Sequence, residues 1–254
     1  MPCEAQFWGK SLESGAMQTP TPPVVLRGIS SMATKSLLAD LAQAYLAQTG
    51  VSVQIESVGG VDAAKRVQAG EAFDMVLLAS DAIERLIASG HVQQGTRHDW
   101  VRSPVAVAVQ AGAPRPDLSH EAAVKAAVMA SPTLSYSTGP SGVYLDQLFE
   151  RWGIADQVKA RIVVPPPGTP VGALVAKGQA ALGFQQLSEL IAQPGIDVLG
   201  TLPADVAFIT TFSAGIPSTI SLDAVRVAAV QSFLQFLTSA GVEDLKRKQG
   251  MNWL

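Results

Sequence analysis

From residue 24 onward short β-rich runs alternate with helical segments, and strand after strand hands over to its helix through a Ser or a Gly. Parallel strands cannot be joined by a tight hairpin; each needs a crossover long enough to hold a helix, so this alternation points to sheets of mostly parallel strands flanked by helices. A strand is predicted at 24–27, then a helix from Ser30 or Ser31 to about Gln48, with Leu37, Leu38, Leu41, Tyr45 and Leu46 on one face and Thr49-Gly50 as its stop. Strands at 51–57 and 74–78 and helices at 62–69 and 81–89, the latter capped by Ser80, continue the pattern. In the second half strands are predicted at 103–109, 133–136, 181–185, 198–200 and 206–213. Helices are predicted there at 120–129, 143–152, 171–177, 187–191, 222–239 and 242–249.

A chain of 254 residues, 48% of them hydrophobic, can bury a substantial core. Its net charge of -3 is spread without a basic stripe, which argues against a nucleic-acid partner. Cys3 is the only cysteine, so no internal disulfide and no Cys-rich metal site can form. The longest apolar runs, 105–109 and 227–230, fall far short of the roughly 20 residues that cross a bilayer, and no membrane span is expected. His91, His98 and His120 lack ligand spacing and lie in segments read as loops or helix ends, so no metal is expected, and no motif implies a cofactor. Residues 1–17 lack a basic-then-apolar leader and 18–23 are Pro-rich, so 1–23 is read as a flexible leader and linker.

Three junctions carry the candidate chemistry: Gly28-Ile-Ser30-Ser31, Ser57-Val-Gly59-Gly60 and Ser137-Thr-Gly139-Pro-Ser141-Gly142. Each is ordinary capping chemistry when taken singly. Together they place unsatisfied N–H groups and positive helix ends at the carboxyl edges of strands in both halves of the chain, an arrangement that holds an anion without Lys or Arg. Among the cations Lys35, Lys65, Arg66 and Arg102, the last is the preferred carboxylate partner.

The stretch Gly28-Ile-Ser30-Ser31-Met32, followed by Leu41-Ala-Gln-Ala-Tyr-Leu and Thr49-Gly50-Val51, resembles the opening of the periplasmic molybdate-binding protein family. Ala64-Lys-Arg-Val67, Gln68-Ala-Gly70, Phe73-Asp74, Ala79-Ser80, Gly139 to Tyr144 and Leu182-Gly183-Phe184 extend the resemblance over residues 24–254. It implies an α/β, two-lobed periplasmic-binding-protein-like fold, each lobe a mixed, mostly parallel sheet flanked by helices, with the ligand cleft between the lobes. Lobe 1 is expected at 24–104 plus 212–254 and lobe 2 at 105–211. Carried over residue by residue, the oxyanion-binding serine falls on Ser30 or Ser31, and the second-lobe backbone donors fall on Ser141, Gly142 and Val171.

Two positions depart from the family. Gly59 and Gly60 stand where hydroxyl donors are usual, and Gln185 or Gln186 stands where a tyrosine is usual; Gln186 offers an amide in its place. The expected ligand is therefore a small organic di- or tricarboxylate rather than molybdate, captured by a solute-binding protein. The alternative is an aconitate isomerase, since some proteins resembling this family move a double bond in a tricarboxylate by allylic proton transfer. Its base is unassigned among Asp62, Tyr144, Lys35 and Ser141. The resemblance implies a monomer in the periplasm, with an ABC-type permease as partner if the chain is secreted; without a recognisable signal peptide, a cytoplasmic setting also stays open.

Overall fold

The structure, a computed structural model, describes residues 25–219 and 224–252. The expected leader at 1–23, Cys3, and the expected starts of the first strand at Val24 and of a helix at Leu222 lie outside them. The elements of the first half are β1 (Val25–Ser31), α1 (Lys35–Thr49), β2 (Ser52–Val58), α2 (Gly60–Gln68), β3 (Met75–Ala79), α3 (Ser80–Ala88), β4 (His98–Gln110) and α4 (Glu121–Ala130). There follow β5 (Leu134–Tyr136), α5 (Pro140–Arg151), α6 (Ala155–Lys159), α7 (Val171–Ala176), β6 (Leu182–Gln186), α8 (Leu187–Leu190), β7 (Ile196–Thr201), β8 (Ile209–Gly215), α9 (Ala224–Leu237) and α10 (Glu243–Lys248).

The strands run in the order β2-β1-β3-β8-β4-β6-β5, with β7 also paired to β4. β1 is parallel to β2 and β3, and β5 is parallel to β6, while β8 and β4 are antiparallel to their neighbours. β4 changes partners along its length: His98–Pro104 pair with β8, whereas Val105–Ala108 pair with β6. The cores divide at the same place. Leu26, Met75, Leu77, Trp100, Phe212 and Phe233 pack together on one face of the first sheet, and Ile29, Phe73, Val76 and Leu78 on the other. Val105, Val107 and Val109 join Leu145, Phe149 and Phe184 in a separate core, while Ala106 and Ala108 turn the opposite way toward Leu190. The period of two in each strand thus sends alternate residues to opposite buried faces, the pattern of sheets covered on both sides by helices.

Several boundaries differ from the expected ones. β1 runs on to Ser31 because Ser30 and Ser31 pair with Ser57 and Val58 on β2, and a 3-10 turn, Met32–Thr34, separates it from α1. Neither serine caps that turn or α1 through its side chain, and Ser80 is the first residue of α3 rather than its cap. β4 begins at His98, five residues before the expected start at 103, so His98 is a strand residue and not part of a loop. Its early section is held by the buried Trp100 and Val101, and a bulge near Asp99 breaks the alternation from which a strand would be read. The short α6 was not expected, and a 3-10 turn at Ala204–Val206 replaces the expected start of β8. Lys246 is buried; its Nζ donates to the Trp100 carbonyl at 2.5 Å, and burial lowers its pKa to about 8.

Asp74 ties α9 to the base of the first sheet. Its carboxylate accepts from the Arg27 N–H at 2.7 Å and from Arg226 Nε and Nη2 at 2.6 and 2.7 Å. Replacing Asp74 with Ala leaves the Arg27 donor and the guanidinium without this acceptor. The expected loss is about 2–3 kcal/mol in urea unfolding, under the range for a fully buried pair because 35% of the Arg226 side chain is exposed. A loss under about 0.5 kcal/mol, the size of an ordinary surface substitution, contradicts this role.

Candidate functional site

The three junctions found in the sequence end at β1, β2 and β5, and the structure distinguishes residues that the sequence could not. Ser30 is buried and its Oγ pairs with Ser57 Oγ at 2.8 Å, across the β1–β2 register. Ser31 Oγ, also buried, has no hydrogen-bond partner. A buried hydroxyl with nothing to bond costs about 1–3 kcal/mol, so of the two serines it is Ser31 that is equipped to receive a ligand. Gly60 lies against it: a Cβ at position 60 would stand 3.7 Å from Ser31 Cβ, so glycine leaves this corner open. Gly59 is the N-cap of α2, and Asp62 is the acid in its first turn, where a carboxylate interacts favourably with the helix dipole.

On the opposite side Gln186, the last residue of β6 and the N-cap of α8, is buried. Its Nε2 donates to Thr210 Oγ1 at 2.6 Å, while its Oε1 is unpartnered. Among the described residues Trp100 Nε1, in the core of the first sheet, is the one other buried side-chain N or O atom without a partner. Ser188 Oγ donates to the Ala33 carbonyl at 2.8 Å and lies 3.4 Å from Ser103 Oγ. Ser103 and Thr210 face one another across the β4–β8 ladder. Ser103, Gln186, Ser188 and Thr210 thus form one buried polar seam, which the Ser188–Ala33 bond ties to the turn that follows Ser31.

The loop after β5 is built differently from the expectation. Ser141 Oγ pairs with Ser137 Oγ at 2.8 Å, and the Gly142 N–H donates to the Gly139 carbonyl at 2.9 Å. Gly142 is therefore not a spare backbone donor; its hydrogen bond is spent on closing the first turn of α5. Val171 opens α7 and is fully buried, and the next N–H, of Gly172, donates to Gln185 Oε1 at 3.3 Å. Arg102 is the clearest departure. Its side chain is exposed, its backbone pairs with Asn252, and strand alternation turns it to the face opposite Ser103. It does not join the seam. Arg66 is held by Glu56 and Glu71, and Lys35 and Lys65 are exposed. Tyr144 donates its hydroxyl to the Val206 carbonyl at 2.8 Å and stacks on Phe208, a packing role.

Ser103, Ser188, Thr210 and Glu189 were missed by the sequence reading. Isolated polar residues in apolar strands carry no spacing signal, and these meet only because β4 and β8 bring the two halves together. Glu189 is half-buried and accepts from Gln185 Nε2 at 2.7 Å; partial loss of hydration pushes its pKa up to about 7, against the effect of that bond. Two surface grooves, of about 500 and 520 Å³, lie away from the seam along α4 and the turn at 113–116, and neither touches Ser31 or Gln186.

A family profile of bacterial extracellular solute-binding proteins matches residues 26–252, and the chain belongs to this family. The α/β, bilobed periplasmic-binding-protein fold agrees with it. The chain is 37% identical over 236 residues to an aconitate isomerase of a Pseudomonas species, covering 90% of this chain and 87% of that protein. In structure it resembles the periplasmic molybdate-binding protein of Azotobacter vinelandii, with a TM-score of 0.72 and 21% identity over 90% of this chain and 99% of that one. It also resembles the sulfate-binding protein of Mycobacterium tuberculosis, with a TM-score of 0.72 and 15% identity over 91% of this chain and 87% of that one.

The loop after β5 gives a sharp test of these contacts. A Cβ on Gly142 would stand 1.7 Å from the Ser137 carbonyl oxygen, whereas one on Gly139 meets nothing closer than Ser137 Oγ at 3.6 Å. Thermal unfolding of G142A is expected to show a loss of about 3 kcal/mol or more, with G139A close to the parent. Equal stability of the two variants contradicts the geometry of the loop.

Proposed function

We propose that this protein is an aconitate isomerase, which holds a small tricarboxylate between its lobes and moves its double bond by allylic proton transfer. The observation that carries this reading is the 37% identity, over 90% of the chain, to an aconitate isomerase. The site supports it in two ways. Ser31 Oγ after β1 and Gln186 Oε1 at the end of β6 are both unpartnered and available to a ligand, and Gly60 leaves beside Ser31 the room that a ligand larger than molybdate needs. A half-turn of the Gln186 amide lets the Thr210 hydroxyl donate to Oε1 and turns the NH2 group toward a ligand carboxylate. In this reading residues 24–104 with 212–254 form one lobe and 105–211 the other, and Ser141, Val171, Gly59 and the exposed Lys35 border the ligand.

The reaction leaves the composition of the substrate unchanged. A base takes the allylic C–H proton, the electron pair spreads through the double bond into the conjugated carboxylate, and the proton returns at the far carbon of the allyl system. No redox partner is required. Donors at Ser31 and Gln186 stabilise the delocalised charge, and we assign the base to Asp62, on the first turn of α2 two residues after Gly60. A second reading, favoured by the family itself, is capture of the same carboxylate for delivery to an ABC-type permease in the periplasm.

Proton NMR of trans-aconitate incubated with the protein in D2O tests the enzyme reading. Appearance of the cis isomer with deuterium at the allylic carbon is expected; tight binding without exchange returns the protein to capture alone, and preference for molybdate over aconitate rejects both carboxylate readings. S31A is expected to weaken trans-aconitate binding about 10- to 100-fold while leaving stability unchanged or raised, since it removes an unsatisfied buried hydroxyl. D62N is expected to lower kcat by about 10²- to 10⁴-fold with little effect on KM; unchanged kcat moves the base elsewhere.

A further inference from the structure

Ser188 has no place in the reaction above, yet its hydroxyl makes the contact that links the two unpartnered groups of the candidate site. Ser188 Oγ donates to the Ala33 carbonyl at 2.8 Å, between residues 155 positions apart. Ser31, with its unpartnered Oγ, precedes Ala33 by two residues, and Gln186, with its unpartnered Oε1, precedes Ser188 by two. Both connecting pieces are tight. Ala33 sits in the 3-10 turn Met32–Thr34, and the buried Thr34 ties that turn back to Ser31 by donating from Oγ1 to the Ser31 carbonyl at 3.3 Å. Gln186 ends β6 and caps α8, with its Nε2 held by Thr210. A hydroxyl carries one proton and a carbonyl only accepts, so the Ser188 proton goes to Ala33; toward Ser103 Oγ, 3.4 Å away, Ser188 can only accept.

We propose that Ser188 is a positioning residue: its bond to Ala33 staples the turn after β1 to α8 and sets the spacing at which Ser31 Oγ and the Gln186 amide meet a ligand. The inference rests on the site reading above, in which one ligand touches both groups. In the lobe division given there, Ala33 belongs to one lobe and Gln186 and Ser188 to the other, so the bond crosses between lobes that are otherwise joined by strands and free to rotate about them. α8 has four residues, too few to hold a fixed place alone, and depends on its contacts. One of these is apolar. Leu187 lies against Gly250, where a Cβ would stand 2.8 Å from Leu187 Cγ, and the segment that carries Gly250 is fixed to β4 by the Arg102–Asn252 backbone bonds at 2.9 and 3.0 Å. Apolar packing has no preferred direction and lets a short helix slide or turn, whereas a hydrogen bond with a defined donor and acceptor resists both. The Ser188–Ala33 bond uses no ligand atom, so it holds the two groups at one spacing before and after capture, and a ligand does not have to impose that order itself.

Loss of one neutral hydrogen bond is too small to unfold a chain of this size, so S188A is expected to stay folded. Spin labels at two exposed positions, Ala88 on α3 and Glu150 on α5, introduced as A88C and E150C in a C3S background, report the distance between the lobes by double electron–electron resonance. Without ligand, S188A is expected to give a broader distance distribution than the parent, and trans-aconitate to narrow it again. In calorimetric titration S188A is expected to bind trans-aconitate about tenfold more weakly than the parent. A purely structural loss multiplies with that of S31A, whereas a residue that places Ser31 loses its effect once the Ser31 hydroxyl is gone; S31A/S188A is therefore expected to bind within about threefold of S31A. Equal distributions in the ligand-free parent and S188A overturn the proposal. So does unchanged affinity of S188A where the parent binds, or a double variant weaker than S31A by the full factor of S188A. A broadened distribution in S188A, with no trans-aconitate binding by the parent, leaves the staple standing and overturns the aconitate reading alone.

Discussion

The antiparallel ladder between β4 and β8 is the constraint on which the rest depends. These two strands pass together from one core to the other, and the change of partner at Pro104 and Val105, from β8 to β6, marks the place where the cores separate. Along the ladder the side chains alternate. Apolar residues such as Val101 and Phe212 lock it into the first core, Val105 and Val107 lock it into the second, and Ser103 and Thr210 lie between. Polar side chains at that level are buried without belonging to either core, so they bond to Ser188 and Gln186 rather than to water. The seam is therefore a product of strand register: shifting the pairing by one residue would bring Arg102 and Thr211 to this face and turn Ser103 and Thr210 away.

The candidate site holds little fixed charge. Arg66 is taken up by Glu56 and Glu71, Arg102 is on the wrong face, and Lys246 is buried beneath Trp100. Beside the exposed Lys35, what remains is a set of hydroxyl and amide groups, with Ser31 Oγ and the Gln186 amide incompletely satisfied. Neutral donors fixed in a poorly hydrated seam lose little in reorganisation when charge develops on a ligand, which is why such an arrangement suits either capture of an anion or stabilisation of an enolate-like transition state.

Much of the fold was legible in the sequence because it rests on local signals. The βα alternation, the glycine stops such as Gly50 and the apolar face of α1 are all short-range patterns, and the elements found match them to within a few residues. The failures share a cause. The early part of β4 was hidden because its alternation is broken by the bulge near Asp99, and Ser31 was read as a cap because a serine before a helix is usually one. At the site the junctions around Ser31, Gly60 and Gln186 were recognisable, whereas Arg102 was misplaced because its face depends on register, and Ser103, Ser188, Thr210 and Glu189 gave no signal because their meaning lies in contacts between residues as much as 155 positions apart.

A crystal structure of the protein with trans-aconitate tests the central claim most directly. The account requires a ligand carboxylate within hydrogen-bonding distance, about 2.7–3.2 Å, of Ser31 Oγ and of the Gln186 amide, filling the space beside Gly60. A ligand bound elsewhere, or a bound ligand that leaves both groups unpartnered, contradicts it.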